Sequence, residues 1–331
     1  MRKIHTLLLL VVTLLAFYSC KNDLNILAPY KDIPVVYGLM DQSDSAHYIR
    51  INKAYLGPGN AITMASNYDS INYPTGTLSV QIKEIDPSGN PLNNYTLIPD
   101  SSIPVAPGTF SYPKQVLYKI KAVFNQANTY NLTITNKKTG KTVTGSTGLL
   151  PDISFTGTSN EIITDPQFSP SYGTYPTSIT WNSNGIAPIY QFTIRFFYTE
   201  TNGSNVTSKY ADWVFAPITS TSGAGFPMQV SYFLSDFLQF LKGTIAVNPV
   251  ITRTADSLHF IFTMGSSDLN TYIELSQPSL GIDQNTPSFS DVTNGIGLFT
   301  ARHVSTYSKT SFSGRTIDSL RLSPTTAPLN F

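Results

Sequence analysis

The sequence predicts a mainly β protein. An immunoglobulin-like β-sandwich is expected over residues 32–152, followed by a second β-rich domain over 178–331 with one or two short helices. Three observations predict this. Short runs in which apolar and polar residues alternate, the pattern of half-buried strands, recur through most of the chain. Clusters of Gly, Pro, Asn, Asp and Ser separate these runs at close spacing. The helical period occurs in only two stretches, both after residue 229.

In the first domain, 33–40 is a short apolar run and 47–55 alternates Tyr48, Ile49, Arg50, Ile51 and Asn52, so the pair reads as a hairpin joined by 41–46. Leu78, Val80 and Ile82 alternate up to Asp86-Pro87-Ser88-Gly89-Asn90, a turn in which Pro presets φ and Gly accepts a positive one. Another strand is expected over 116–124. The clearest local signal is YNLTITNKKTGKTVTGST at 130–147, where two Thr-rich arms flank Asn136-Lys137-Lys138-Thr139-Gly140. Gly140 stands where a bulged hairpin needs the left-handed conformation. The Ser-, Thr-, Pro- and Gly-rich stretch 153–177 reads as a linker, or else as a long loop within one larger sandwich.

In the second domain, strands are expected at 178–181, 189–199 and 207–215, the last two joined by Asn202-Gly203-Ser204-Asn205. Val230, Phe233, Leu234, Phe237, Leu238 and Leu241 then form one face of a helix near 231–242, with Ser231 placed to cap its start and Gly243 its end. A strand at 258–264 precedes a shorter helix over 268–277, marked by Leu269, Tyr272 and Ile273 and stopped by Pro278. A last strand is expected at 297–304.

Residues 1–19 read as a signal peptide. Arg2 and Lys3 precede the apolar run LLLLVVTLLAF at 7–17, which at about 1.5 Å per residue is too short to cross a bilayer core of about 30 Å. Ser19 and Cys20 resemble the lipobox of bacterial lipoproteins, in which the Cys thiol takes a diacylglyceryl group and becomes the new N-terminus. Cys20 is the single cysteine of 331 residues, so no intramolecular disulfide forms, and its place after the apolar run favours acylation over a reactive thiol. Residues 20–31 then read as a lipidated tether. Loss of Arg2 and Lys3 leaves 19 basic against 20 acidic residues. With no basic stripe, nucleic acid is not an expected partner.

Together with the lipobox, VVYGLMDQSDSAHYIRINKAYLG at 35–57, the 130–147 hairpin followed by Pro151, and NGIGLFTAR at 294–302 resemble a broad family of Bacteroidota outer-membrane lipoproteins that carry a domain of unknown function. The resemblance covers most of the chain after Cys20. It implies β-sandwich modules, attachment to the outer membrane through lipid, and a setting beside TonB-dependent receptors. It transfers no site residue and no cofactor. The expected role is a non-catalytic binding or accessory subunit of an uptake system. A surface adhesin or glycan-binding module stays open as an alternative, as does a hydrolase.

No G-x-S-x-G and no H-E-x-x-H occurs, and no catalytic residue, metal or cofactor is assigned. His47, His259 and His303 lie in separate expected strands without ligand-like spacing, so hydrogen-bonded histidines are expected rather than a zinc site. Asp41 and Asp44 beside Ser43 and Ser45 read as a solvated turn rather than a calcium loop. Four triplets, Asp44-Ser45-Ala46, Asp69-Ser70-Ile71, Asp256-Ser257-Leu258 and Asp318-Ser319-Leu320, match the O-glycosylation motif of Bacteroidota envelope proteins. Ser45 and Ser70 fall in expected loops, Ser257 and Ser319 at expected strand starts. Most of the 19 Tyr and 19 Phe take core positions, whereas Tyr68, Tyr73, Tyr172 and Tyr175 lie in polar loops and are the expected ligand contacts. If Ser45 and Ser70 carry glycans, the intact mass of protein from the native host exceeds polypeptide plus lipid; a mass equal to that sum removes the assignment.

Overall fold

The computed structural model describes residues 31–54, 60–108, 110–172, 174–220, 223–277 and 288–331. The expected signal peptide, Cys20, the tether up to residue 30 and Pro278 lie outside the described residues. The molecule is mainly β. β1 (Pro34–Met40) and β2 (Ala46–Lys53) form the expected hairpin, and alternation sends Val36, Met40, Ile49 and Ile51 into a core. Two short helices follow: α1 (Ala61–Ser66), capped by the Asn60 side chain, and α2 (Tyr68–Ile71), capped by Asn67. β3 (Leu78–Ile85) turns through Gly89, at a φ of +86°, into β4 (Pro91–Asp100). The sequence reading misses β4 because most of its residues are exposed and do not alternate. β5 (Leu117–Lys121), β6 (Thr129–Asn136) and β7 (Thr142–Thr147) follow, and Gly140 has the expected left-handed φ of +71°.

Residues 153–177 are not a linker. They hold β8 (Ser154–Phe155), α3 (Ser159–Thr164) and β9 (Gln167–Phe168), and bury Ile153, Phe155, Ile163 and Phe168 in a second core. The polar residues that suggest a loop are hydrogen-bonding groups instead: Ser159 Oγ accepts the Thr180 N–H at 2.8 Å. The buried Lys309 ammonium donates to the carbonyls of Ile162, Ile163 and Asp165 at the end of α3.

β10 (Thr177–Asn182), β11 (Ile189–Asn202), β12 (Asn205–Val214), β13 (Ile218–Thr219) and β14 (Pro227–Tyr232) lead to α4 (Leu234–Thr244). The helix expected near 231–242 therefore starts later. Val230 and Ser231 belong to β14, where Met228, Val230 and Tyr232 alternate inward, and Gly243 lies inside the helix rather than beyond it. Val230 satisfies both periods, and strand pairing with β10 decides between them. β15 (Thr252–Gly265), α5 (Ser267–Ser276) with Ser266 as its cap, β16 (Ile296–Lys309), β17 (Ser311–Phe312) and α6 (Gly314–Leu322) complete the chain. Where one or two helices are expected in 178–331 there are three among the described residues, and three more precede residue 178; four of the six span nine residues or fewer, too short to show a period.

A twelve-stranded mixed sheet runs in the order β12-β11-β15-β16-β1-β2-β5-β4-β3-β6-β7, with β13 beside β11. β16 is its seam. Residues 296–301 pair in parallel with β1, and residues 302–309 pair antiparallel with β15. A strand expected in the second domain thus completes the first, where Phe299 packs in one core with Val36, Ile82 and Leu132. Thr144 and Thr293 exchange backbone hydrogen bonds at 3.2 and 2.8 Å, which returns β7 to the same seam. The second core is aromatic: Phe262 meets Trp181 at 5.6 Å and Phe192 at 4.8 Å between ring centres, and Phe168 meets Phe237 at 5.6 Å.

Gly297 permits the seam. Its φ is +118°, and a Cβ there would lie 2.0 Å from the Val36 carbonyl oxygen. Gly297→Ala is expected to destabilise the fold by about 3 kcal/mol or more, read as a lower midpoint in chemical denaturation. An unchanged midpoint would show that β1 does not need this close approach.

Candidate functional site

Alternation places Val35 and Tyr37 of β1 opposite Asn52 and Arg50 of β2 on the face turned away from the core. Ile71 at the end of α2, Lys53 and Ala54 after β2, and Phe110 from the connection before β5 wall this face into a recess of about 380 Å³. That volume is within the range of small-molecule sites. Asn52 organises the recess. Its Nδ2 donates to the Ile71 carbonyl at 3.1 Å and to Asn72 Oδ1 at 2.9 Å, holding α2 over β2, and its Oδ1 accepts from Arg50 Nε at 2.8 Å. The guanidinium is thus oriented by an amide rather than a carboxylate. Among the described residues, neither Nη of Arg50 nor Nζ of Lys53 has a hydrogen-bond or ion-pair partner. Tyr37 reaches across the seam, its hydroxyl 3.2 Å from that of Tyr272 on α5. Burial, aided by this hydrogen bond, pushes the Tyr37 phenol up to about 12, so it stays a neutral hydroxyl.

The four tyrosines expected as contacts do not form one surface. Tyr68, on α2, lies under the Lys114 ammonium at 4.4 Å. Tyr73 donates to Asp32 Oδ1 at 2.6 Å and packs on the first core. Tyr172 lines a separate, larger cleft of about 550 Å³ beside α4 and α6. Its hydroxyl is within 2.6 Å of both Ser313 Oγ and Thr316 Oγ1, and Arg315 lies 4.2 Å over its ring. Arg315 and Asp318 both line that cleft, so it offers no net charge. Tyr175 is 80% exposed. Sequence reasoning missed Tyr37 and Arg50, since period 2 assigns a face without saying what covers it.

The serines also separate. Ser45 is exposed in the β1–β2 turn, as expected. Ser70 lies in α2 rather than a loop, Ser257 well inside β15 beside a bulge rather than at a strand start, and Ser319 in α6, where its hydroxyl donates to the Arg315 carbonyl at 2.8 Å. The buried Glu84 carboxylate accepts from Asn93, Tyr95, Asn128 and Tyr130. Burial pushes this carboxyl up, yet the four donors outweigh it and hold it below the usual value, which makes it a structural anion rather than an acid catalyst.

The histidines take three different places. His47 stacks on Phe124 at 3.8 Å and bonds the Ala122 carbonyl, and His259 packs edge-on to Phe197 at 4.7 Å. His303 stands just past the seam, with Nδ1 2.6 Å from Asp41 Oδ1 and Nε2 2.8 Å from Asp152 Oδ1. Asp41 is buried, not part of a solvated turn, and also accepts the N–H groups of Ser43 and Val304. Ser305 Oγ is 3.2 Å from His303 Nε2, which brings together the residue types of a hydrolytic triad. The second carboxylate already occupies Nε2 and Ser305 is buried, so His303 is held by two carboxylates between the end of β1 and the segment before β8.

No family model and no curated protein matches the chain. Among solved structures, the C-terminal globular domain of an oligosaccharyltransferase from Pyrococcus abyssi is similar over 68% of this chain at 10% identity, with a TM-score of 0.21. The chain spans about half of that structure, 47% of its length. A likeness this low carries no argument about function.

The clamp has a pH signature. Burial lowers the His303 value, but hydrogen bonds to Asp41 and Asp152 override it and raise the group above 6.5. Burial likewise opposes the Asp41 shift, but His303 and Ser43 hold that carboxyl below 3.8. The His303 contribution is therefore complete below 6.5 and lost as pH rises through its folded value. The Asp41 contribution is complete above 3.8 and lost as pH falls through its own. The denaturation midpoint should be highest between these limits. His303→Gln should cost about 3 kcal/mol there and remove the alkaline decline. Equal pH profiles for wild type and variant would contradict the clamp.

Proposed function

We propose that the chain is a non-catalytic binding or accessory lipoprotein of the outer membrane, anchored through Cys20 and serving a TonB-dependent uptake system. The observation that carries this reading is the β1–β2 recess: a small-molecule-sized hollow whose floor is made of paired strands and whose arginine is already oriented by Asn52. Sites held on strands and supported by a second layer of hydrogen bonds keep their geometry better than sites on loops. The lipobox supports the anchor, and the family resemblance supports the receptor.

A surface adhesin is the second reading, favoured by the outer face of β11 and β12. There Phe197 and Tyr210 stand 6.1 Å apart and Arg195 lies 4.5 Å over the Tyr210 ring. Tyr210 is 58% exposed, with the half-buried Phe197 beside it; an exposed ring suits a sugar face, and a glycan array separates the two readings, because an accessory subunit need bind none.

Purified from its native host in mild detergent, the protein is expected to bring a receptor barrel with it. Labelled palmitate is expected to enter the wild type and not Cys20→Ala. Repeated recovery of the lipoprotein alone would count against the receptor, and equal labelling of the variant against the anchor.

A further inference from the structure

We infer that the β1–β2 recess takes a small organic carboxylate, whose charged head meets Arg50 and Lys53 and whose apolar body covers Tyr37, Ile71 and Phe110. The inference rests on the reading of this recess as the ligand site and adds the chemical class.

Charge is the first argument. The lining holds two cations and no acidic residue, and neither cation has a counter-ion among the described residues. Geometry is the second. Asn52 Oδ1 engages Arg50 Nε at 2.8 Å, which leaves the two Nη groups as an end-on fork. Two parallel N–H donors in one plane match the two oxygens of a carboxylate. Asn52 is itself held by Ile71 and Asn72, so the fork is oriented before any ligand arrives. The third argument is apolar surface. Phe110 is 55% and Tyr37 40% exposed at the rim, both beside the buried Ile71. An aliphatic or aromatic body lying there would remove both rings from water. The larger cleft at Tyr172 lacks this combination, because Arg315 there already lies on an aromatic ring and shares the lining with Asp318.

The test is isothermal titration of the full-length protein in detergent with three acids, N-acetyl-phenylalanine, N-acetyl-leucine and octanoate, and with the neutral primary amide of each. At least one acid is expected to bind about tenfold or more tighter than its amide. Arg50→Gln should weaken that preference and Arg50→Gln combined with Lys53→Gln should abolish it, with the thermal midpoint of each variant as the check on folding, and Phe110→Ala should weaken acid and amide alike. Equal affinity for acid and amide, a preference that survives the removal of both cations, or no binding of any acid at about 10 mM would each overturn the carboxylate. Equal affinities that both fall in Phe110→Ala would leave the recess as a ligand site for neutral molecules. Failure to recover a receptor barrel would leave the charge preference as it is, so the two readings fail separately.

Discussion

The parallel ladder between β1 and the first half of β16 is the constraint on which the architecture depends. It joins two cores that otherwise share little, since the same strand presents Phe299 to the first and Ala301 to the second. The ladder tolerates no side chain at Gly297, because the Val36 carbonyl occupies that space. The clamp of Asp41, His303 and Asp152 lies one step beyond the ladder and ties the end of β1 to the same strand. Buried charge is costly to desolvate, so the Asp41–His303 pair adds less net stability than the loss of either partner would remove.

The recess inherits its rigidity from this arrangement. Its floor is the outward face of the two strands whose inward face fills the first core, so the register that buries Val36 and Ile51 also sets Tyr37 against Arg50. The polar relay from Arg50 through Asn52 to Asn72 and the Tyr68 carbonyl fastens α2 over β2 using only neutral groups beyond the arginine. A carboxylate in place of Asn52 would neutralise the guanidinium internally. An amide aligns it and leaves its charge available.

Much of the β framework is legible in the sequence wherever one face of a strand is buried. The β1–β2, β6–β7 and β11–β12 hairpins all follow from alternation and turn residues, and Gly140 and Gly203 take the positive φ their turns require. β4 is hidden because it does not alternate, and α4 is mistimed because Val230 fits two periods at once. The 153–177 segment looks like a linker because its polar residues cap and pair locally while only Ile153, Phe155, Ile163 and Phe168 go inward. The recess is less legible still. Its cations come from one strand, its rings from two distant segments, and the absence of a counter-ion is a property of space rather than of order along the chain.

The pairing of β1 with β16 also bears on how the molecule comes to exist. Val35 and Ile296 are partners separated by roughly 260 residues, so closing the first sandwich carries a large loop-closure penalty. Until β16 docks, β1 offers one unpaired edge, a template for wrong partners. The amino-terminal core is therefore completed only by a segment near the far end of the chain, so what befalls residues 296–301 is felt first among residues 34–40.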